Sequence, residues 1–166
     1  ILNSNYLKEK LKDHYTIVDV NENNRVAHEF IIDLSEFKKY NINEQDIAKR
    51  LIDYSFHPGT MSWPRKGVIM FEPTESESQI ELDRLVDSLI SIRNEIQEVI
   101  DGKYDCNNNV LKNSPHPIKF IKEWKFPYDM KKAYYPIENL EKNKFYPSIG
   151  RVNDIFGDKN LLKTKN

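Results

Sequence analysis

Residues Asp53–Glu77 read DYSFHPGTMSWPRKGVIMFEPTESE, and the rest of the chain is arranged around them. The stretch opens as a polar, aromatic loop, HPGTMSWP. It continues as a short apolar strand at Val68–Phe71 and ends in a helix start, TESE. Thr74 and Glu77 have the T-x-x-E spacing of a capping box, in which each side chain satisfies an otherwise free amide at the helix start. Behind them Ile80, Leu82, Leu85, Val86, Leu89, Ile92, Ile96 and Val99 recur at helical spacing, and Gly102 provides a stop. This predicts one helix of about 27 residues, on the order of 40 Å long, packed across a sheet.

Upstream, Asn3–Lys12 predicts an amphipathic helix with Tyr6, Leu7 and Leu11 on one side and Asn3 or Ser4 as its cap. Tyr15–Val20 and Arg25–Leu34 are rich in β-branched and aromatic residues and predict two strands. The turn residues NENN between them predict an antiparallel hairpin. His28 falls inside the second strand, as a hydrogen-bonded strand histidine or as a base or cofactor contact. Ser35–Tyr40 predicts a helical turn. Asn43 caps a clearer helix that turns Ile47 and Leu51 to the core, with acids at its start and Lys49 and Arg50 at its end, as the helix dipole favours. The order strand, strand, helix, strand, long helix predicts an α+β fold, an antiparallel sheet with helices over one face.

After Gly102 the character changes. Asp105–Asn109 is polar. From Pro115 onward five prolines interleave with nine aromatic residues, with short helices expected near His116–Glu123 and Asp129–Tyr134. The expected organisation is a small α+β domain over 1–104 and an irregular arm over 105–166. The arm is too aromatic for a disordered tail and packs on the same domain or on a partner. The final LLKTKN is expected to fray.

Composition removes several functions. With 25 basic and 26 acidic residues the net charge is −1, and no basic cluster suggests nucleic acid. No apolar run approaches the roughly 20 residues that span a bilayer. A single cysteine, Cys106, excludes an internal disulfide and reads as a loop thiol. Neither glycine-rich phosphate-binding motif is present. The four histidines, His14, His28, His57 and His116, lack metal-ligand spacing, so no metal site is expected. The chain opens at Ile1 rather than Met, as a processed chain or a piece of a longer one would.

The remaining candidate chemistry lies in the loop His57–Pro64. One reading makes it a rigid pocket lining, with His57, Thr60 and Ser62 as polar contacts and Trp63 as a wall. The other makes it a turn whose Trp63 and Met61 pack into the core. Arg65–Lys66 reads as a solvated turn that Gly67 reverses. Arg151, in SIGRVND, reads as a surface arginine or an anion contact.

Five segments together resemble a known family: ILNSNYLKEKL, VAHEFIIDL, H-x-x-TMSWP, MFEPTESES and PSIGRVND-x-x-GD. They are similar to the C-terminal end of glycine dehydrogenase (decarboxylating), the P-protein of the glycine cleavage system. The resemblance implies the small C-terminal domain of a pyridoxal-phosphate enzyme of the aspartate-aminotransferase type. It implies decarboxylation of glycine and transfer of the aminomethyl group to the lipoyl arm of H-protein. It also implies a dimer in the full enzyme, located in the mitochondrial matrix of a eukaryote or the cytoplasm of a bacterium.

In the family the cofactor lysine lies in a histidine- and glycine-rich motif of the large domain, and no segment here matches it. No catalytic or cofactor-binding residue is therefore assigned, and pyridoxal phosphate is expected on the large domain or a companion subunit. The substrate-pocket candidates are His57, Thr60, Ser62, Trp63 and Arg151. This chain departs from the family's usual residues at Ser55, Pro58-Gly59 and Arg65. The alternatives are a non-catalytic α+β interaction domain and the small subunit of a split enzyme. In either case an apolar docking patch is expected around Ile1–Leu11 and the tail.

Overall fold

A computed structural model describes residues 1–160; the segment LLKTKN lies outside them. Helix α1 spans Leu2–Leu11, followed by strands β1 (Thr16–Val18) and β2 (Phe30–Asp33). A 3-10 helix at Ser35–Tyr40 leads into α2 (Glu44–Asp53). Strands β3 (Thr60–Met61) and β4 (Val68–Phe71) precede the long α3 (Gln79–Ile100). The arm carries short helices α4 (Val110–Asn113), α5 (Met130–Tyr134) and α6 (Asp154–Lys159), with 3-10 turns between them.

The four strands are antiparallel in the order β1-β2-β4-β3, and the fold is α+β. Alternation along β2 and β4 sends Phe30, Ile32, Ile69 and Phe71 to the helix side. There Phe30 stacks on Phe71 with ring centroids 5.3 Å apart. Ile31, Val68 and Met70 form a smaller apolar cluster on the opposite face. Leu82, Val86, Leu89, Ile92, Ile96 and Val99 of α3 fill the main core with Leu7, Leu11, Ile47 and Leu51. Val110, Leu111, Tyr128, Ala133 and Tyr134 of the arm belong to the same core.

Several expectations are corrected. The long helix has 22 residues, about 33 Å, and starts at Gln79 rather than at Thr74. Its cap is Ser78, whose hydroxyl accepts from the Glu81 amide at 3.3 Å. The Thr74 carbonyl accepts from the Asn3 side chain at 2.7 Å, so that turn is tied to α1 instead. Ile80 is 78% exposed. It precedes Leu82 by two positions, which at 3.6 residues per turn rotates it about 200°, to the far side of the helix. The Gly102 stop holds: φ is +74°, its amide donates to Val99 O, and the Lys103 amide donates to Glu98 O, a Schellman closure.

The second strand is shorter than expected because α1 takes its backbone partners. Asn5 bonds both backbone groups of Val26, and Ser4 Oγ donates to the His28 carbonyl at 2.6 Å. Asn3 and Ser4 are therefore clamps within α1 rather than its cap. His28 lies before β2, exposed, instead of within a strand. The first strand begins at Thr16 because Tyr15 turns its hydroxyl inward to the Leu89 carbonyl at 2.7 Å.

Candidate functional site

The stretch Asp53–Glu77 folds into two different environments, a buried ionic cluster at its start and an open cleft along its middle. The cleft holds about 580 Å³. It is bounded by Ser55–Thr60, the β4 end at Met70–Pro73, and the α3 face carrying Glu77, Glu81, Arg84 and Leu85. Gly59 brings loop and strand together: a β-carbon there would collide with the Met70 carbonyl oxygen. Thr60 and Met61 then pair with Met70 and Ile69, so part of the expected loop is an edge strand. Arg84 closes one wall. Its guanidinium lies 3.7 Å from the Phe56 ring centroid, holds Glu81 at 2.7 Å and donates to the Tyr54 carbonyl at 3.0 Å.

His57 and Thr60 line this cleft; Ser62, Trp63 and Arg151 do not. Ser62 has φ +59° and donates to Glu44 at 2.7 Å, while the Gly67 amide donates to the same carboxylate oxygen at 3.1 Å. Partial burial pushes the Glu44 carboxyl up, but the Ser62 hydroxyl, its own amide, the Gly67 amide and the nearby Lys38 charge together outweigh it and hold it below the usual range. Trp63 is 62% exposed and Met61 is also exposed, so neither packs into the core. Arg65 pairs with Asp19 at 3.0 Å on the surface. Arg151 donates to Asp46 at 2.6 Å and to the carbonyls of Ser114 and Leu111, fastening the tail to α2.

At the end of α2, two residues before the first cleft residue, lies a cluster that the sequence did not announce. Arg50 is fully buried and makes ion pairs with Asp53 at 2.9 Å and Glu95 at 2.7 Å. It also donates to the carbonyls of Lys132 and Ala133 in the arm. Asp53 accepts from the His116 amide and meets the ring Nδ1, both at 2.7 Å. With Nδ1 donating, Nε2 is left to accept from the Tyr128 hydroxyl at 2.8 Å. Burial pushes the Asp53 carboxyl up, yet His116 and Arg50 outweigh that and hold it below its ordinary value. Lys144 donates to the Asp53 carbonyl, and Phe145 N donates to Ser55 Oγ at 2.8 Å. Burial lowers the Lys144 ammonium to about 8, with Arg50 adding to the effect against the opposing pull of Asp53. The available signal was positional: Arg50 lies three residues after Ile47 and three before Asp53, on the apolar side of α2.

Residues 1–116 match the family described as glycine dehydrogenase, C-terminal domain. The chain belongs to this family. It is 55% identical over 166 residues to the glycine dehydrogenase (decarboxylating) of Christiangramia forsetii, covering 99% of this chain and 17% of that protein. It is 52% identical over 165 residues to the mitochondrial glycine dehydrogenase (decarboxylating) of Dictyostelium discoideum, covering 98% and 17%. The mitochondrial enzyme of Solanum tuberosum is 50% identical over 167 residues, covering 99% and 16%. The glycine dehydrogenase C-terminal domain seen here thus spans about one sixth of the curated relatives it matches.

The pyridoxal phosphate implied by the resemblance does not fit this cleft as a resident group. Glu72, Glu77 and Glu81 make the lining acidic, and Arg84 is committed to Glu81, Tyr54 and Phe56. Among the described residues no lysine lines it. A phosphate dianion needs cationic or amide donors, and the aldehyde of the cofactor needs an amine.

Proposed function

We propose that this glycine dehydrogenase C-terminal domain forms one wall of a glycine-decarboxylating site whose pyridoxal phosphate and lysine lie on polypeptide beyond these 166 residues. The supporting observation is the identity of 50–55% to glycine dehydrogenases along 98–99% of this chain. When bound, pyridoxal phosphate supplies the electron sink that loss of CO2 from an amino acid requires. In this reading residues 1–104 are the small domain and 105–166 its arm, and the arm seats the wall rather than reacting. His57 and Thr60 offer an imidazole and a hydroxyl to the cleft, and the exposed indole of Trp63 is covered on assembly. The exposed Ile1 and Leu2 and the arm's exposed Phe145, Ile149 and Phe156 suit docking onto further polypeptide. The receiving partner is the lipoyl arm of H-protein, and the assembled enzyme is a dimer.

The test compares this chain alone with the full-length enzyme in glycine-dependent release of labelled CO2, both supplied with pyridoxal phosphate and lipoylated H-protein. No release is expected from the chain alone. In the full-length enzyme His57→Ala with Thr60→Val lowers the rate without loss of bound cofactor. Turnover by the isolated chain, or an unchanged rate in the double variant, overturns the reading.

A further inference from the structure

We propose that His28, Glu29 and Glu72 bind a divalent transition-metal cation at the rim of the cleft. His28 and Glu29 immediately precede β2, and Glu72 immediately follows β4. Phe30 pairs with Phe71 in the antiparallel register, so the next position outward sets Glu29 opposite Glu72. One ligand atom from each of the three side chains lies within 4.8 Å of the other two. An ion bound at about 2.1 Å from each donor needs donors no more than about 4.2 Å apart. His28 Nε2 and the Glu29 carboxylate already lie 3.7 Å apart, inside that limit, and the 73% exposed His28 and the exposed Glu72 have room to adjust around an ion.

A second feature makes this more than a group of surface acids. Two carboxylates directly opposite one another across a strand pair repel. Among the described residues neither Glu29 nor Glu72 is paired with a lysine or arginine; the neighbour of Glu29 is the His28 ring, at 3.7 Å. An imidazole is itself a metal ligand. The segment carrying it is held by the Ser4 bond to the His28 carbonyl and by the two Asn5 bonds to Val26. One nitrogen and two carboxylate oxygens suit Zn2+, Co2+ or Mn2+ better than Mg2+, which favours an all-oxygen shell. Three protein ligands leave a coordination position open, and Glu72 also lines the cleft, so that position faces the cleft or a docked chain. The sequence spacing hides the site because its ligands come from two strand ends 43 positions apart.

The test titrates the chain with Co2+, read by visible absorption, and with Zn2+, read by calorimetry. One saturable equivalent is expected, with Mg2+ in large excess failing to displace it. His28→Ala and Glu72→Gln each weaken binding by roughly tenfold or more. Both side chains are exposed, so in the absence of metal neither variant unfolds below the parent, and Glu72→Gln, which removes the carboxylate repulsion, unfolds at the same temperature or slightly higher. Lack of saturable binding overturns the proposal, as does binding that either variant leaves unchanged, since the ion would then sit elsewhere. The readout is binding by the chain itself and is independent of glycine decarboxylation.

Discussion

The ionic cluster under α2 and the loop His57–Arg65 are both dense in polar side chains, and they use them in opposite ways. In the cluster Arg50, Asp53, Glu95 and His116 are buried, and each has a partner. In the loop His57, Thr60 and Trp63 face solvent, while Ser62 and Arg65 turn back to Glu44 and Asp19. Burying a charge is unfavourable unless it is paired, so the cluster holds only as a complete set. Exposed groups carry no such constraint and remain free to contact something else. Polar residues close together in this fold therefore divide into those that hold the arm in place and those available to a partner.

The sharpest way to break this contrast is Arg50→Met, which leaves Asp53 and Glu95 as uncompensated buried charges. It should destabilise the chain by about 3–5 kcal/mol in urea unfolding. A cost no larger than that of a loop substitution would erase the distinction.

Asp53→Asn should cost less, about 2–3 kcal/mol, and speed hydrogen exchange in residues 115–146, whose contacts it weakens. It also has a pH signature. The folded-state Asp53 carboxyl is held below its ordinary value. Its contribution is therefore present above the unfolded value of about 3.9 and is lost as pH falls through the lower folded one. Stability of the parent should decline through that acidic window, and Asp53→Asn should flatten the decline.

Ser78→Ala tests where α3 begins and should cost about 1 kcal/mol, with Thr74→Ala having a smaller effect on the helix. Equal losses would return the start to Thr74.

Lys144 gives a subtler check on the cluster. Its folded value of about 8 lies below the unfolded value of about 10.4, so between them the unfolded chain binds more protons. Stability from this group rises with pH across that interval. Lys144→Met should remove the rise, measured as the difference between parent and variant from pH 8 to 9.5. Smallest of all, Trp63→Ala should change stability by no more than about 0.5 kcal/mol, because the indole makes little core contact. A larger loss would move Trp63 to the structural side of the comparison.

Local patterns were readable in the sequence where they were sufficient. The α3 periodicity from Leu82 to Val99, the β4 strand and the Gly102 stop depend on neighbours within a turn or a strand. Where two local patterns competed, the sequence did not decide between them. Thr74-x-x-Glu77 and Ser78-x-x-Glu81 both fit a helix start, and the Asn3 bond to Thr74 O ties the first to α1. Ile80 breaks the apolar stripe because it lies on the opposite face of the helix's first turn. Of the candidate site, His57 and Thr60 were legible as cleft residues. The cluster at the end of α2 was not, because Asp53 and His116 are 63 positions apart.

The sequence by itself determined the principal helices, the strand at Val68–Phe71, the α+β class and the family, because hydrophobic spacing and turn chemistry act over a few residues and survive in any context. Tertiary structure decided which polar group each charged side chain would meet. It set Arg50 against Glu95 and the arm carbonyls, Ser62 against Glu44, and Arg151 against Asp46. Hydrogen bonds and ion pairs require donor and acceptor within about 3 Å, and that proximity arises only when distant segments pack. The stretch Asp53–Glu77 carries both kinds of information: its strand is written locally, and the roles of its polar residues are assigned by what the rest of the chain brings to them.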